Sequence, residues 1–217
     1  MQFVSHFLRR TPVAPTAPKP VYIVASPYCT LDKGLIEMLF SMGLVKSAMP
    51  YDPNLASKFR AVFSEANFTV QRHLSARIYL ERHKSRVQHM LRPLLPHLKP
   101  YDFFSEAPVG QTFLHPYIRK AIMPHARFIW FTPDRESWFA DVERTECSAP
   151  DAYPEYAQWE QNSDDRRALL QNRLRIERRK FIRLSRDFPQ DCIEIPTSQP
   201  DACEHLQNFT LNAAINI

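Results

Sequence analysis

Glycine is nearly missing from this chain, with three residues in 217. The stretch "VYIVASPYCTLDKGLIEMLFSMGL" at 21–44 has the layout of a phosphate-binding loop, a β-branched strand leading through a loop into a helix. It reaches no glycine before Gly34. Glycines are what let successive backbone N–H groups curl freely around a phosphate. "PYCTLDKG" therefore fails as a Walker A loop, because both glycines and the final Ser/Thr are missing. Cysteine is sparse as well. Cys29, Cys147, Cys192 and Cys203 are widely spaced with no CxxC pair, which excludes a disulfide framework and predicts reduced thiols in a cytoplasmic protein. No apolar run approaches the about 18 residues that a membrane span needs. The N-terminal "MQFVSHFLRR" has too short an apolar stretch, and its arginines lie on the wrong side, for a secretory signal.

What is present points to a globular domain. Hydrophobic residues make up 44% of the chain and aromatics 12%, enough to bury a substantial core at this length. Residues 1–20 end in the proline-rich "TPVAPTAPKP", expected to be an extended arm, and 21–217 are expected to form one domain. The net charge of +5 admits an anionic partner but is modest for a nucleic-acid binder, so no nucleic-acid partner is expected. Basic residues gather at 71–92 and 166–186, where apolar residues recur at helical spacing, so the expectation is two amphipathic helices with solvated basic faces. His83 and His89 lack metal-helix spacing and are expected on a solvated helix. Cys203 and His205 lack a second ligand pair, so no metal is expected.

Along the chain, strands alternate with helices. Val21 to Ala25 reads as a buried strand, and Leu35, Met38, Leu39 and Met42 as the apolar stripe of a helix that Gly43 can end. One long helical region is expected over roughly 55–92. A strand and loop follow in "YDFFSEAP", and a helix begins after Pro116. "ARFIWFT" at 126–132 is the clearest central strand, and "DRESWFADVERT" begins another helix. The segment 146–162 reads as a proline-punctuated surface stretch. Ser163 is expected to start a helix that turns Leu170, Leu174, Phe181, Leu184 and Phe188 inward. "DCIEIP" and "DACEHLQNFTL" supply a last strand and helix. This alternation predicts an α/β fold with a central parallel sheet between two helical layers.

The order of these segments resembles the bacterial sulfotransferases, which have a P-loop NTPase-like α/β fold and use 3′-phosphoadenosine 5′-phosphosulfate. "YIVASPYCTLDKGLIEMLFSMG" resembles their 5′-phosphosulfate loop and helix. "YDFFSEAPVGQTFLHPYI" resembles the segment leading into the helix that lines the acceptor site. "PHARFIWFTPDRESWFADVERT" resembles the strand and helix that hold the 3′-phosphate, and "ALLQNRLRIERRKFIRLSRDFPQDCIEIPTSQPDACEHLQNF" the late helix, short strand and closing helix. The resemblance covers about 190 residues by its order and spacing. It departs at the ligand positions: Pro133 stands where the family has an arginine, Asp141 where it has a serine, and Asp32 sits in the loop.

The resemblance implies sulfuryl transfer to a hydroxyl or amine acceptor, a small molecule or a carbohydrate, through an atypical donor site. Pro27, Tyr28, Cys29, Thr30 and Lys33 would hold the phosphosulfate, with Lys33 on the leaving phosphate. Asp134 and Arg135 would flank the 3′-phosphate. Glu106 is the candidate base and His115 the alternative. The alternative reading, from a different class, is a non-catalytic relative that binds a protein partner.

Overall fold

The computed structural model describes residues 20–27, 30, 33–110, 114–148 and 163–215. The proline-rich arm, Tyr28, Cys29 and nearly all of the 146–162 segment lie outside them. Four strands form one sheet: β1 (Val21–Val24), β2 (Phe103–Phe104), β3 (Ala126–Thr132) and β4 (Cys192–Pro196), in the order β2-β1-β3-β4. Each neighbouring pair is parallel, with Ile23 opposite Phe104 and Phe128, and Trp130 opposite Glu194. Outside β2, the 46–49 segment adds a single parallel bridge from Ala48 to Phe103. The buried Asp102 carboxylate fixes that segment by accepting the amide hydrogens of Lys46 and Ser47.

A sheet buried on both faces needs strands with near-continuous apolar runs, and β3 has one from Phe128 to Phe131. Its side chains alternate between two cores. Phe128 and Trp130, with Ile23 and Phe104, pack under helices α2 (Pro53–Val70), α3 (Ala76–Met90), α5 (Pro116–Ile122) and α7 (Ser163–Asp187). Ile129 and Phe131, with Tyr22, Val24 and Ile195, pack against α1 (Lys33–Ser41) and α8 (Ala202–Ile215). The α/β expectation of a parallel sheet between two helical layers therefore holds. A short α4 (Leu95–Leu98) leads into β2. Helix α6 (Arg135–Ser148) meets α7 through a third cluster of Trp138, Phe139, Val142 and Leu170.

Local signals set several of these boundaries. Gly43 ends α1 with a positive φ of 68°, a conformation glycine adopts without a Cβ penalty, and Leu44 donates its N–H back to Leu39. The single helix expected over 55–92 is instead two helices broken at 71–75. Ser75 adopts extended backbone and caps α3, and the carboxylate of Asp187, at the end of α7, accepts the amide hydrogens of Ala76 and Arg77. His83 is not simply solvated: it is half-buried, with its Nε2 3.0 Å from Nε2 of His73 in that break, whereas His89 is exposed.

Candidate functional site

In a parallel sheet of this kind, ligands bind where the chain reverses its direction of travel across the strands. Here the chain leaves β1 for β2 on one side and then crosses to β3 on the other, so the crevice lies at the C-terminal ends of β1 and β3. The segment after β1 is pinned down: Ala25 donates its N–H to Ile129, and Ser26, Pro27 and Thr30 are all buried. Thr30 Oγ1 donates to the Pro27 carbonyl and lies 2.7 Å from Ser26 Oγ, which in turn accepts the Phe131 N–H at 3.3 Å. One hydroxyl carries one hydrogen, so a relay runs from Phe131 through Ser26 and Thr30 to Pro27. Thr30 is 3% exposed, and its hydroxyl is spent inside the loop. Lys33 begins α1, which places its backbone at the helix N-terminus beside this edge.

At the end of β3, Asp134 is a helix cap. Its Oδ1 accepts the Ser137 amide hydrogen at 3.0 Å, and its carbonyl accepts that of Trp138. The Ser137 amide in particular holds the Asp134 carboxyl below the usual carboxylate range. Arg135 is exposed and has no charged partner among the described residues. With Thr132 and Pro133 it lines one wall of a cleft of about 670 Å³, whose other wall is Gln171, Asn172, Arg175 and Arg178 of α7. Glu194 of β4 anchors that wall, taking Thr132 Oγ1 at 2.6 Å and Arg178 Nε at 3.0 Å. Asp141 faces Arg144 at 3.0 Å on the outside of α6.

Glu106 lies two residues beyond β2, so its backbone stands at the same C-terminal edge; it is half-buried, and its carbonyl accepts the Gly110 N–H. A Cβ at Gly110 would overlap the Phe104 carbonyl, so only glycine lets this loop fold back over β2. His115 caps α5. Its backbone N–H donates to Asn67 Oδ1 at 2.9 Å, and its Nδ1 accepts the Tyr117 amide hydrogen at 3.2 Å. Burial, reinforced by the positive charges of Lys180, Arg119 and Arg183, pushes its pKa down to about 2. The ring is therefore neutral near pH 7, and with Nδ1 accepting, the hydrogen sits on Nε2. Such a ring suits hydrogen-bond donation to a ligand, whereas proton abstraction from an acceptor does not fit it.

The sequence-predicted residues thus divide. Pro27, Thr30, Lys33, Glu106, Asp134 and Arg135 all stand on segments at the C-terminal edge of the sheet, and Tyr28 and Cys29 lie outside the described residues. His115 lines a second cleft of about 550 Å³, walled by Asn67, Gln71 and His73 on one side and by Arg173, Arg179, Lys180 and Arg183 of α7 on the other. Sequence reasoning pooled the cations of α7 into one solvated face. They form two rows flanking the buried stripe of Leu170, Phe181 and Leu184, and the spacing of 173, 176, 180 and 183 carries that signal. It also missed Arg119, which is 1% exposed and donates from one terminal nitrogen to the carbonyls of Val24 and Val109. Cys203 is exposed, and His205 Nε2 lies 3.3 Å from Asp201.

No protein-family model, curated protein or solved structure matches the chain. Among the described residues, no helix is long and apolar enough to cross a membrane.

Proposed function

We propose that this chain is a sulfotransferase-like α/β protein that binds a phosphorylated adenosine nucleotide, 3′-phosphoadenosine 5′-phosphosulfate or its bisphosphate product, for sulfuryl transfer to a hydroxyl or amine acceptor. The observation that carries this reading is the cleft at the switch-point edge, where Arg135, Arg175 and Arg178 converge beside the end of β3. Guanidinium groups match phosphate oxygens in shape and charge. Arg135 and Arg175 take the 3′-phosphate, while Glu194 holds Arg178 in place as the cleft wall. The N-terminus of α1, where Lys33 begins the helix, takes the 5′ side, replacing the absent glycines with a positive helix end. Glu106 takes the acceptor proton as the sulfuryl group leaves its phosphate. The deciding experiment is calorimetric titration with 3′-phosphoadenosine 5′-phosphate. Micromolar binding, weakened at least tenfold by replacing Arg135 and Arg175 with alanine, is the expected result. No heat at millimolar nucleotide overturns the reading.

One observation favours a second reading, a non-catalytic relative that binds without transferring. The Thr30 hydroxyl is committed to Pro27 and Ser26, and the Asp134 carboxylate to the α6 cap, so two polar groups near the crevice serve the fold. Radiolabelled donor separates the two readings: slow release of sulfate to water or to a simple alcohol acceptor supports transfer. Tight nucleotide binding with no release supports the non-catalytic form.

A further inference from the structure

The cleft around His115 is separate in chemistry and position from the crevice at the end of β3. The two are walled by different faces of α7, one by Arg175 and Arg178, the other by Arg173, Lys180 and Arg183. Among the described residues no carboxylate lines the His115 cleft, while four cationic side chains do. Glu177 offsets part of that charge from below: it is buried, 2.8 Å from Lys180 Nζ and 3.1 Å from Arg173 Nε. The Arg173 Nε–H is not aligned on that carboxylate: Nε is buried with no hydrogen-bond partner among the described residues. Arg179 and Arg183 are exposed, and neither has an ion-pair partner among the described residues.

Unbalanced cations clustered in a concave site repel one another, and the arrangement is relieved by an anion. The neutral donors on the opposite wall add direction. His115 presents Nε2–H because Tyr117 occupies Nδ1, and Gln71 supplies a side-chain amide. The volume of about 550 Å³ suits a sugar-sized molecule and far exceeds what a bare ion fills. Val70 and Ile176 give the cleft an apolar surface for the remainder of such a ligand.

We infer that this cleft is a binding site for the phosphate or sulfate ester of a small molecule, its tetrahedral oxyanion held by Arg179, Arg183 and Lys180 and oriented by the His115 Nε2–H. The inference stands independently of the nucleotide reading, because no residue is shared between the two clefts.

A readout local to His115 tests it. In protein carrying ¹⁵N-labelled histidine, the His115 Nε2 resonance is followed during titration with inorganic phosphate or inorganic sulfate, at ionic strength held constant with chloride. A saturable shift is expected in the wild type and in the Arg135→Ala, Arg175→Ala double variant, and at least a tenfold weaker response in the Arg179→Ala, Arg183→Ala double variant. Both of those arginines are exposed, so their removal leaves the fold in place, and circular dichroism of the variant checks this. Saturation by phosphate alone marks a phosphate-ester site, and saturation by sulfate marks a sulfate-ester site. No saturable shift with either anion, or a shift unchanged in the Arg179/Arg183 variant, overturns the inference. A His115 resonance that answers neither phosphate nor sulfate, in protein that still binds the bisphosphate, sinks this inference and leaves the nucleotide reading intact.

Discussion

Asp187, the last residue of α7, accepts the amide hydrogen of Ala76 at 2.6 Å, 111 residues earlier in the chain. The same oxygen takes the Ser75 hydroxyl at 2.9 Å and the Arg77 amide at 3.3 Å. One carboxylate thus fills the open N-terminus of α3 and fastens α7, with its two basic rows, to the α2–α3 break that walls the His115 cleft.

Replacing Asp187 with alanine removes a charged acceptor from three donors and is expected to cost about 1.5–3 kcal/mol, measured by urea denaturation at pH 7. Burial raises the Asp187 pKa, but the Ser75, Ala76 and Arg77 hydrogen bonds and Arg186 outweigh it and lower it overall. A carboxyl with a depressed folded pKa stabilises fully above its unfolded value, about 3.9. The contribution is lost as pH falls below that value. The gap between the wild type and Asp187→Ala should therefore narrow below pH 4. A constant gap down to pH 2 would mean that the charge plays no part.

His115 predicts a second pH dependence in the same direction but in a different window. Its folded pKa is pushed down to about 2, first by burial and then by Lys180, Arg119 and Arg183. A histidine with a lowered folded pKa favours the native state above its unfolded value of about 6.5, and that advantage shrinks as pH falls, by about 1.4 kcal/mol per unit. His83, whose pKa is lowered by burial and by His73, Arg86 and Arg82, adds in the same sense. Stability measured at pH 7.5, 6.5 and 5.5 should decline. His115→Asn, which keeps a capping side chain, should flatten most of the decline. An equal slope in this variant would assign the decline elsewhere.

The fold was legible where the deciding contacts are local or periodic. Val21, Ile23 and Val24 read as a strand, "ARFIWFT" as a central one, and Leu170, Phe181 and Leu184 as the inner stripe of α7, because alternation and helical spacing survive in one dimension. The break at 71–75 was hidden because its partner, Asp187, is more than a hundred residues away. The loop after β1 was legible as a loop, but its hydrogen bonds were not. Nothing in "PYCTLDKG" says that the Thr30 hydroxyl turns inward to Pro27. In "PYIRKAI", Arg119 and Lys120 look like a solvated helix face. Both are buried, because Val24 and Val109 carbonyls receive one and Asp191 the other.

Cysteine reactivity should separate two thiols. Cys192 begins β4, and burial, with the nearby Asp191 carboxylate, pushes its pKa up to about 12. Cys203 is exposed on α8. Only the thiolate reacts quickly with an alkylating reagent. Brief treatment of native protein with iodoacetamide at pH 8, read by peptide mass spectrometry, should label Cys203 and spare Cys192. Equal labelling would contradict the burial of β4.

Arg119 gives the strongest test of how the crevice is held. Its guanidinium is buried between the Val24 carbonyl, at the end of β1, and the Val109 carbonyl, in the loop after β2, at 3.3 and 3.1 Å. Burial pushes its pKa down to about 10, while Glu177 favours the charged form, so it stays charged at neutral pH. Arg119→Met would leave both carbonyls without this donor and take a positive charge from the surroundings of Glu177. Removing one partner of a buried charged arrangement costs about 3–5 kcal/mol, so a large fall in Tm is expected. Arg119→Lys keeps the charge but cannot reproduce the planar geometry that spans two carbonyls, and should fall between. If charge balance with Glu177 carries part of the loss, the Arg119→Met, Glu177→Gln double variant will be more stable than the sum of the single effects allows. Simple additivity would assign the whole effect to the two carbonyls. Arg119 would then be a clasp joining β1 to the Glu106 loop, with no electrostatic role toward α7.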